Sequence, residues 1–384
     1  MVRTTAVLAP RPDQPPPPAG GGLVVTGEIS RASGLGEVAR LMLRGLEALG
    51  VPAWQLDIGT PVSRGEAPAA TRPAPAAPLL IHVNAPFLPL ALLRLPRGMV
   101  RGRRLIGYWA WELPVAPKDW RAGARFVHEA WALSGFTAAA LEPLLPGRVR
   151  VVTPPFTVAP PVPSRLDRAA FGLPQEAVIV LVSFSLASSF ERKNPLGAIR
   201  AFRDAFGARA DRILVLKVTN PDDFRADYVR LRQAMADAPN IRIETRTLPP
   251  ADNHALTACA DIVLSLHRSE GFGLVAAEAM LLARPVIATA WSGNMDFMND
   301  TSAALVPARL IPAQDPRRVF EAPGAVWAEP DTAMAAAQLR QLADNPDSRI
   351  GLGRRGRAYA ADRLGLGSLA AAVRALGLGR FHPE

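Results

Sequence analysis

The sequence predicts an α/β protein made of two Rossmann-like, doubly wound domains, each with a parallel sheet between layers of helices, facing a central cleft. Three observations support this fold class. Strand-like and helix-like segments alternate along most of the chain. The alternation stops at the proline-rich stretch TPPFTVAPPVPSRLD, 153–167, and then restarts. The length of 384 residues suffices for two domains of ordinary size.

The first predicted domain covers 22–157 and follows a Pro- and Gly-rich segment, 1–21, that we interpret as a disordered tail. Apolar and β-branched runs on either side of a segment with helical period indicate strand, helix and further strands. These are GLVVTGE at 22–28, the helix GEVARLMLRGLEALG at 36–50, PAWQLDI at 52–58, LLIHVNA, RLIGYWAW, EAWALSG and RVRVVTP. A second Pro-rich stretch, 61–78, is interpreted as a loop.

The second predicted domain covers 158–348, where the alternation restarts. Strands are predicted at AVIVLVSFS, RILVLKVTN, IRIETRTL, DIVLSLH, PVIATAW and ALVPA, and helices at NPLGAIRAFRDAF, DDFRADYVRLRQAMADA and GLVAAEAMLLA. The final segment, 349–384, is predicted to be helical. Strands that alternate with helices imply a parallel sheet in this domain too.

Composition narrows the class of protein. The formal net charge is +10, but nearly all of the positive charge is arginine and it is scattered along the chain. This pattern favours small phosphates, and is compatible with a peripheral membrane contact, but it does not favour nucleic acid. One cysteine, Cys259, fits a reducing compartment, and neither a membrane-spanning apolar run nor a secretory signal is found. We therefore expect a cytoplasmic protein, free of membrane spans and compatible with a peripheral position at the inner face of the membrane.

The stretch HRSEGFGLVAAEAMLLARPVIAT, 267–289, carries the strongest functional signal. Ligands of doubly wound sheets bind outside the carboxyl ends of the strands, where this stretch leaves a strand and enters a helix. Gly271 and Gly273 allow the backbone to approach a ligand closely, and the first N–H groups of the helix favour an anion such as a diphosphate. Because a helix end contributes only ~0.3–2 kcal/mol, a cation is expected nearby. Lys193, which follows the first strand of the second domain, is the candidate.

Two glutamates, Glu270 and Glu278, flank the start of this helix. Both carboxylates can project toward one elongated ligand if the turn before the helix is tight. A carboxylate accepts hydrogen bonds from paired hydroxyls, such as those of a sugar or a ribose. A solvated helix face is the alternative for Glu278, and a surface lysine is the alternative for Lys193.

In the first domain, Gly34, Gly36 and Ala39 form a G-x-G-x-x-A pattern before a helix, and Asp57 closes the next strand. This resembles a dinucleotide fingerprint, so an NAD-dependent oxidoreductase that uses the GLGEVA loop is an alternative. The glycines follow their strand by several residues, whereas the fingerprint places them directly after it.

Two further groups lie at strand ends of the first domain. His82 and Asn84 close the strand LLIHVNA, where a buried structural histidine and a ligand contact are both compatible with the pattern. Trp109, Trp111 and Glu112 lie in GYWAWELP. Aromatic faces stack on sugar rings or fill a core, and the sequence leaves both open.

Together these segments resemble the retaining glycosyltransferases of family 4, which have the GT-B fold and use nucleotide-activated sugars. SEGFGLVAAEAM resembles their E-x7-E motif, RKNPLGAIRAF resembles their basic phosphate-binding segment, and GYWAWELP with HEAWALSGF resembles the signature of one bacterial subgroup. The resemblance implies a hexosyltransferase of polysaccharide biosynthesis with a nucleotide diphosphate sugar as donor and with no metal or other cofactor. It also implies a glycan, a lipid-linked sugar or a small molecule as acceptor, and C-terminal helices that pack back toward the first domain.

The resemblance also implies a role for each matching residue. Glu270 would face the hydroxyls of the donor sugar, Glu278 would hold the ribose hydroxyls, and Lys193 would neutralise the leaving diphosphate. His82 or Asn84 falls near a position that contacts the transferred sugar, and both are catalytic candidates. The other residues implied in donor binding are Gly34, Gly36, Arg192, Gly271, Phe272, Gly273 and Leu274.

One departure from the family pattern concerns the phosphate clamp. Many relatives have an arginine several residues before the lysine, whereas SFSLASSF supplies only serines, so Arg192 or another arginine must substitute. Besides the oxidoreductase, two alternatives remain: an epimerase of the same fold, and a binding module for nucleotide sugars that lacks catalysis. Stabilisation by NAD would indicate the oxidoreductase, and turnover without an acceptor would indicate the epimerase.

Overall fold

The computed structural model describes residues 7–31, 33–58, 73–95, 97–320 and 322–378. It divides into two compact units: an N-terminal unit, Met1–Ala159 with Leu364–Glu384, and a C-terminal unit, Pro160–Arg363. The sequence predicts the first boundary at 157/158 and a C-terminal helical segment from 349. The chain returns to the N-terminal unit at Leu364, one helix later than that predicted segment begins.

The described part of the N-terminal unit contains a parallel sheet in the order β2-β1-β3-β4-β5-β6. Its strands are β1 Leu23–Gly27, β2 Ala53–Asp57, β3 Leu79–His82, β4 Leu105–Trp109, β5 Glu129–Ala132 and β6 Val149–Val151. Its first helices are α1 Gly34–Ala48, α2 Leu88–Arg94, α3 Trp120–Ala124 and α4 Gly135–Leu141. Every residue of β1, β3 and β4 is buried, because the strands of a parallel sheet are covered on both faces.

The segment before β1 packs on the N-terminal unit. The Arg11 guanidinium lies 4.5 Å from the centre of the Phe126 ring, and the Gly102 N–H donates to the Asp13 carboxylate over 2.6 Å. His128 Nε2 lies 2.8 Å from the Asp13 carbonyl oxygen. The interpretation of 1–21 as a disordered tail is therefore wrong for the described residues 7–21. A high content of proline and glycine indicates little regular secondary structure, but it does not tell whether the segment packs against neighbouring elements. Of the loop predicted at 61–78, residues 61–72 lie outside the described part.

The described part of the C-terminal unit contains a second parallel sheet, in the order β12-β11-β10-β7-β8-β9, and an antiparallel pair, β13 with β14. The strands are β7 Val178–Ser185, β8 Arg212–Thr219, β9 Ile241–Glu244, β10 Ile262–Ser265, β11 Val286–Thr289, β12 Ala304–Val306, β13 Ala308–Pro312 and β14 Val326–Pro330. The helices are α5 Phe190–Lys193, α6 Pro195–Phe206, α7 Arg225–Ala234, α8 Pro250–Cys259, α9 Leu274–Leu281, α10 Thr332–Asp344 and α11 Pro346–Arg363.

Helix α12, Gly367–Ala375, follows in the N-terminal unit, where it contacts α1. Short 3-10 helices lie at Ala85–Phe87, Arg97–Met99, Glu142–Leu144, Phe156–Val158, Leu186–Ser188 and Gly293–Asp296. Within the described ranges, no helix combines the length and the apolar character that crossing a membrane requires. The fold is α/β with two Rossmann-like units, as the sequence predicts.

The core of the C-terminal unit lies between its sheet and the helices α6 and α10. Val180 and Leu214 of the sheet belong to the same buried cluster as Phe202 of α6 and Leu339 of α10. The alternating apolar strands and the amphipathic α6 thus bury their apolar faces against each other, and this burial is the main force that stabilises the unit.

The structure corrects two element boundaries in this unit. The helix predicted at 222–238 is confined to Arg225–Ala234. Its predicted end lies directly before Pro239, whose ring disfavours the helical conformation of the preceding residue. The strand predicted as ALVPA divides at Pro307 into β12 and the start of β13. The β13–β14 pair itself has no counterpart among the predicted elements.

The strand order defines one switch point in each described sheet. In the C-terminal unit β7 and β10 are neighbours, and the chain moves outward from them in opposite directions. In the N-terminal unit β1 and β3 have the same relation. Ligands of open α/β sheets bind at such points, outside the carboxyl ends of the strands. The loops after β7 and β10 contain 186–193 and 266–273, which are the segments singled out in the sequence.

Candidate functional site

The loops after β7 and β10 are joined by backbone and side-chain hydrogen bonds. The Arg268 N–H donates to the Arg192 carbonyl oxygen over 2.8 Å, and Asn194 Nδ2 donates to the Leu266 carbonyl oxygen over 2.9 Å. Asn194 adopts a left-handed conformation, with φ of 50°, which ends α5 and starts α6. The sharp turn places the last residue of α5, Lys193, beside the loop that follows β10.

Glu270 lies between two cations in this cluster. Its carboxylate accepts a hydrogen bond from Arg192 Nη1 over 3.1 Å and a second one from Lys193 Nζ. Burial by itself would raise the pKa of the Glu270 carboxyl, but the charges of Lys193 and Arg192 outweigh it and lower the pKa to about 2. Glu270 is thus an ionised carboxylate at neutral pH, although its side chain is only 11% exposed.

Arg192 lies beneath Glu270 and is almost fully buried. Its Nε and Nη2 donate to the Ser188 carbonyl oxygen over 3.1 and 2.9 Å, and its Nη1 donates to the Ser269 carbonyl oxygen over 2.8 Å. The Phe320 ring covers the guanidinium at 4.8 Å. The sequence proposes Arg192 as a substitute in the phosphate clamp, but its side chain is only 3% exposed and contacts the protein. The geometry gives Arg192 the role of orienting Glu270.

The turn between Glu270 and α9 brings the backbone to the surface of the site. Gly273 has a φ of 101°, a conformation that favours glycine, and it provides no side chain to cap α9. The first N–H groups of a helix have no partner within the helix, and the end of the helix is partly positive. The turn therefore places a helix end without a side-chain cap beside Lys193. Binding of an anion by Gly271, Phe272, Gly273 and Leu274 stays a prediction.

A second loop, Ser292–Gly293–Asn294 after β11, holds this turn in place. The Glu270 N–H donates to Ser292 Oγ over 2.8 Å, and the Gly293 N–H donates to the Glu270 carbonyl oxygen over 2.9 Å. A Cβ on Gly293 would lie 2.1 Å from the Gly271 carbonyl oxygen. The two backbones thus pack so closely that only glycine fits at 293.

A buried histidine links the same elements. His267 Nε2 lies 3.1 Å from Asn294 Oδ1, and Asn294 Nδ2 donates to the Thr289 carbonyl oxygen over 3.0 Å. Because Asn294 Oδ1 can only accept, the proton of neutral His267 lies on Nε2, and Nδ1 accepts from Ser265 Oγ over 2.9 Å. Burial lowers the pKa of His267, which keeps it neutral. The network fixes the loop after β11 against the end of β10.

Glu278 lies on α9 and faces α8. Its Oε1 is 4.0 Å from Nε2 of His254, and the two side chains are 27% and 18% exposed. Four residues of helix separate Leu274 from Glu278, a rise of about 6 Å along the axis. Glu278 is thus a half-buried carboxylate one turn from the N-terminus of α9.

The glycine loop of the N-terminal unit has a steric explanation. Ser33 caps α1 by accepting from the Gly36 N–H over 3.1 Å, and a Cβ on Gly36 would lie 2.5 Å from the Arg31 carbonyl oxygen. The carboxylate of Asp57 accepts from the Ser30 N–H over 2.9 Å. Asp57, the carboxylate that a dinucleotide site would use to bind a ribose, therefore stabilises the loop before α1 instead. Gly34 is the first residue of α1.

His82 and Asn84 differ in their surroundings. His82 is buried, stacks on Tyr108 with ring centres 4.6 Å apart, and burial lowers its pKa to about 3. Among the described residues neither of its ring nitrogens has a hydrogen-bond partner. Asn84 Oδ1 accepts from the Ala110 N–H over 3.0 Å, so this side chain braces the loop after β4.

The aromatic residues of GYWAWELP belong to the core of the N-terminal unit. Trp109 and Trp111 are buried, and their rings lie 5.9 and 5.2 Å from that of Trp120. Of the two roles that the sequence leaves open for this pair, the structure supports core packing.

Comparison with known proteins identifies the family. Residues 139–349 match the sequence model described as "Family 4 Glycosyltransferase in conflict systems", which is more than half of the chain. The chain is a family 4 glycosyltransferase.

Curated relatives of this family 4 glycosyltransferase match between about half and three fifths of the chain. D-inositol 3-phosphate glycosyltransferase 1 of Catenulispora acidiphila is 31% identical over 216 residues, which are 53% of this chain and 50% of the relative. The D-inositol 3-phosphate glycosyltransferase of Kineococcus radiotolerans is 30% identical over 252 residues, which are 59% of this chain and 51% of the relative. The chain thus matches about half the length of these curated relatives.

Solved structures match nearly the whole length of this family 4 glycosyltransferase. HepE of Anabaena, in complex with UDP and glucose, matches 93% of this chain and 99% of its own, with a TM-score of 0.64 and 13% identity. WaaG, described as a glycosyltransferase involved in lipopolysaccharide biosynthesis, matches 92% and 99%, with a TM-score of 0.59 and 16% identity. This likeness shows the GT-B fold that the sequence resemblance implies.

Several residues around the site lie outside the motifs. Ser292, Gly293 and Asn294 follow a predicted strand, and a Ser-Gly-Asn run at the carboxyl end of a strand is a signal that could have identified them. Phe320, and Asp315, which accepts from the Phe320 N–H over 3.1 Å, come from the β13–β14 connection, for which the sequence shows no periodic signal. Among the described residues, no group of three or more His, Cys, Asp or Glu side chains could hold a metal ion.

The depressed pKa of Glu270 predicts an acid-sensitive stability of the family 4 glycosyltransferase. The carboxyl has an ordinary pKa of 4.5 and a pKa of about 2 in the fold, so its contribution is complete above 4.5 and is lost as the pH falls toward 2. Each pH unit in this window removes about 1.4 kcal/mol of unfolding free energy. Urea unfolding at several pH values measures it, with Glu270→Gln as reference. Equal pH dependence of the two proteins would contradict the pairing.

Proposed function

We propose that this enzyme transfers a hexosyl group from a nucleotide diphosphate sugar to a glycan, a lipid-linked sugar or a small molecule, with retention of the anomeric configuration. One observation supports the proposal most strongly: an ionised, largely buried Glu270 lies between Arg192 and Lys193, beside the uncapped N-terminus of α9. An acceptor of hydroxyl hydrogen bonds is thus placed next to an anion-binding helix end, which matches a sugar joined to a diphosphate.

The reaction requires stabilisation of a developing negative charge. The bond between the anomeric carbon and the diphosphate oxygen breaks, and the diphosphate leaves with the bonding electrons. The acceptor oxygen bonds to the anomeric carbon, and its proton passes to an oxygen of the leaving diphosphate. Fixed N–H groups at the start of α9 and the ammonium of Lys193 would oppose the charge that builds on the leaving oxygens. Glu270, kept ionised and oriented by Arg192, would hold the sugar hydroxyls.

Known proteins of this fold support the same donor class. The HepE structure contains UDP and glucose, and the curated relatives are named as glycosyltransferases of D-inositol 3-phosphate. Of the alternatives, the NAD-dependent oxidoreductase is the least favoured, because Asp57 braces its own loop through the Ser30 N–H. The epimerase and the pure binding module would bind the same donor. They differ from the proposal only because neither would transfer the sugar to an acceptor.

A thermal-shift panel of UDP, GDP, ADP, dTDP and NAD tests the proposal. A nucleoside diphosphate at about 100 times its Kd adds roughly 2.7 kcal/mol to the unfolding free energy, which corresponds to a shift of several degrees. We expect one of the nucleoside diphosphates to stabilise the protein and NAD to have no effect. Stabilisation by NAD alone would overturn the proposal.

Replacing Lys193 by alanine is expected to weaken the nucleoside diphosphate response. The variant removes the cation next to the α9 N-terminus, and a charge-assisted hydrogen bond to an anion contributes about 1.5–3 kcal/mol, so Kd should rise at least tenfold. Calorimetric titration measures Kd. The control is Lys118→Ala, which removes a lysine of the N-terminal unit that belongs to no predicted binding motif. Equal Kd values in the two variants would remove Lys193 from the site.

A further inference from the structure

A cavity of about 620 Å³ lies in the C-terminal unit, apart from the cluster around Glu270. It opens between the N-terminal turns of α6 and α10 and the adjoining ends of β13 and β14. Its charged lining residues are Arg200, Arg268, Arg309, Glu329 and Asp331. The described residues that line it include neither Glu270 nor Lys193, and none of them belongs to α9. Its volume is within the range of about 300–1,000 Å³ that is usual for small-molecule sites.

Arg309 brings a guanidinium without a counter-charge to this cavity. It lies on β13, directly opposite Glu329 of β14 in the antiparallel pair. The Glu329 carboxylate instead pairs with Arg268, whose Nε donates to Oε2 over 2.7 Å. Arg309 is exposed, and it has no ion-pair or hydrogen-bond partner among the residues that the structure describes. Its guanidinium is thus available to an anion in the cavity.

Arg268 adds a second guanidinium, which is fixed by the protein. Its Nη1 donates to the carbonyl oxygen of Glu191 over 2.7 Å, and its Nε donates to Glu329. Its Nη2 has no acceptor in the described part of the chain, and the side chain is 17% exposed. Two of the three nitrogens therefore hold the guanidinium in place, and the third can donate to a ligand.

Arg200 adds a third guanidinium from α6. Its side chain is 74% exposed, and its ion pair with Asp204 spans 3.8 Å. Such an exposed pair contributes little, so Asp204 competes weakly with a ligand. Three guanidinium groups, from α6, the loop after β10 and β13, thus line one cavity. A phosphate has more oxygens and more negative charge than a carboxylate, so it can accept from several of these planar donors at once.

The rest of the lining indicates what the phosphate is attached to. Oδ1 of Asp331 accepts from the N–H groups of Ala333 and Met334 over 2.9 and 3.0 Å. Oδ2 of Asp331 has no donor among the described residues, so it can accept a hydrogen bond from a hydroxyl. The described lining includes no aromatic ring on which a nucleobase could stack. Phosphate and hydroxyl groups without a base are the chemistry of a sugar monophosphate.

We propose that this cavity is a second carbohydrate-binding site, which takes a sugar monophosphate. Arg309, Arg200 and Nη2 of Arg268 bind the phosphate, and Oδ2 of Asp331 accepts from a hydroxyl of the sugar. The site is separate from the one proposed for the nucleotide sugar, because that cluster contributes no residue to the described lining of the cavity. It therefore does not depend on the proposed function.

Calorimetric titration of the full chain with glucose 6-phosphate tests the proposal. We expect the Kd to rise by about tenfold or more in Arg309→Gln, because a charge-assisted hydrogen bond to the phosphate is lost. Arg354→Gln is the matched control, since it removes an exposed arginine of α11 that does not line the cavity. This control and Lys193→Ala should both leave the Kd unchanged. Inorganic phosphate and glucose, which each offer half of the ligand, should bind more weakly than glucose 6-phosphate.

Other outcomes would overturn the proposal. Glucose 6-phosphate would then fail to bind, or would bind Arg309→Gln and Arg354→Gln with the same Kd. If Lys193→Ala weakened binding as much as Arg309→Gln did, the ligand would occupy the cluster around Glu270, and the proposed function would stand without the second site. A Kd for inorganic phosphate or for glucose equal to that for glucose 6-phosphate would contradict a sugar monophosphate as the ligand. If Arg309→Gln does not fold, Arg200→Gln replaces it under the same rules.

Discussion

Replacing Glu270 by glutamine is expected to lower kcat by roughly 100- to 1,000-fold with a much smaller change in KM. Glutamine has nearly the same shape, but it cannot offer two anionic oxygens to the sugar, and it leaves Arg192 and Lys193 without their counter-charge. The loss should therefore be greatest in the transition state, where the sugar must be held while its bond to the diphosphate breaks. Release of nucleoside diphosphate from UDP-glucose, GDP-mannose and ADP-glucose measures it.

A matched control separates this effect from a general loss of charge. Glu329 also pairs with an arginine of the same loop, Arg268, at 2.7 Å, and its side chain is 26% exposed. Glu329→Gln removes one carboxylate from an arginine pair other than that of Glu270, so kcat should change by no more than about fivefold, as for a partly exposed ion pair worth about 0.2–1 kcal/mol. Similar losses of kcat in both variants would contradict a specific role for Glu270.

The juxtaposition of Glu270 and Lys193 could be predicted from the sequence because of topology. The carboxyl ends of parallel strands meet at one edge of a sheet, and the strands that precede these residues, β10 and β7, are neighbours at a switch point. Apolar runs give the strands, and their order in the chain limits the possible neighbours. The sequence therefore predicts which loops meet, even when it does not predict how their side chains are directed.

Side-chain direction explains the part of the site that could not be predicted. Arg192 and Lys193 are adjacent in sequence, yet the first is buried under Phe320 and the second is partly open, because α5 ends in the left-handed turn at Asn194. No periodic pattern specifies such a turn. The contact between His254 and Glu278 also depends on how two helices pack, and a spacing rule within one helix contains no information about its neighbour.

The β13–β14 pair and its connection are elements that the sequence pattern could not predict. Its strands are Ala308–Pro312, which is mostly exposed, and Val326–Pro330, which is mostly buried. Each contains a proline and a charged residue, so neither shows the long apolar run that identifies the other strands. Asp315 in this connection is nevertheless buried, and it accepts hydrogen bonds from the N–H groups of Val319 and Phe320 over 3.0 and 3.1 Å. A single buried carboxylate thus organises a loop that the sequence pattern leaves undefined.

Replacing Gly293 by alanine is expected to destabilise the protein by about 3 kcal/mol or more and to abolish the stabilising effect of the nucleoside diphosphate. The added Cβ would lie 2.1 Å from the Gly271 carbonyl oxygen and 2.9 Å from the Phe272 nitrogen, and both are backbone atoms that no side-chain rotation can move. Relief of the clash must shift the turn between Glu270 and α9, which is the turn proposed to hold the diphosphate. Urea unfolding and the thermal-shift panel measure the two losses.

Gly367→Ala provides the control, because this glycine starts α12 and a Cβ there would meet no atom within 4 Å. Alanine favours a helix over glycine by up to about 1 kcal/mol, so this variant should be as stable as the wild-type protein or slightly more stable, with an unchanged nucleoside diphosphate response. The contrast isolates the contact at Gly293 from the general effect of adding a methyl group to a glycine. If Gly293→Ala kept both the stability and the ligand response of the control, the close packing of the loop after β11 could not be what holds the diphosphate-binding turn. The turn would then depend on the charges around Glu270, and Glu270→Gln rather than Gly293→Ala would abolish the ligand response.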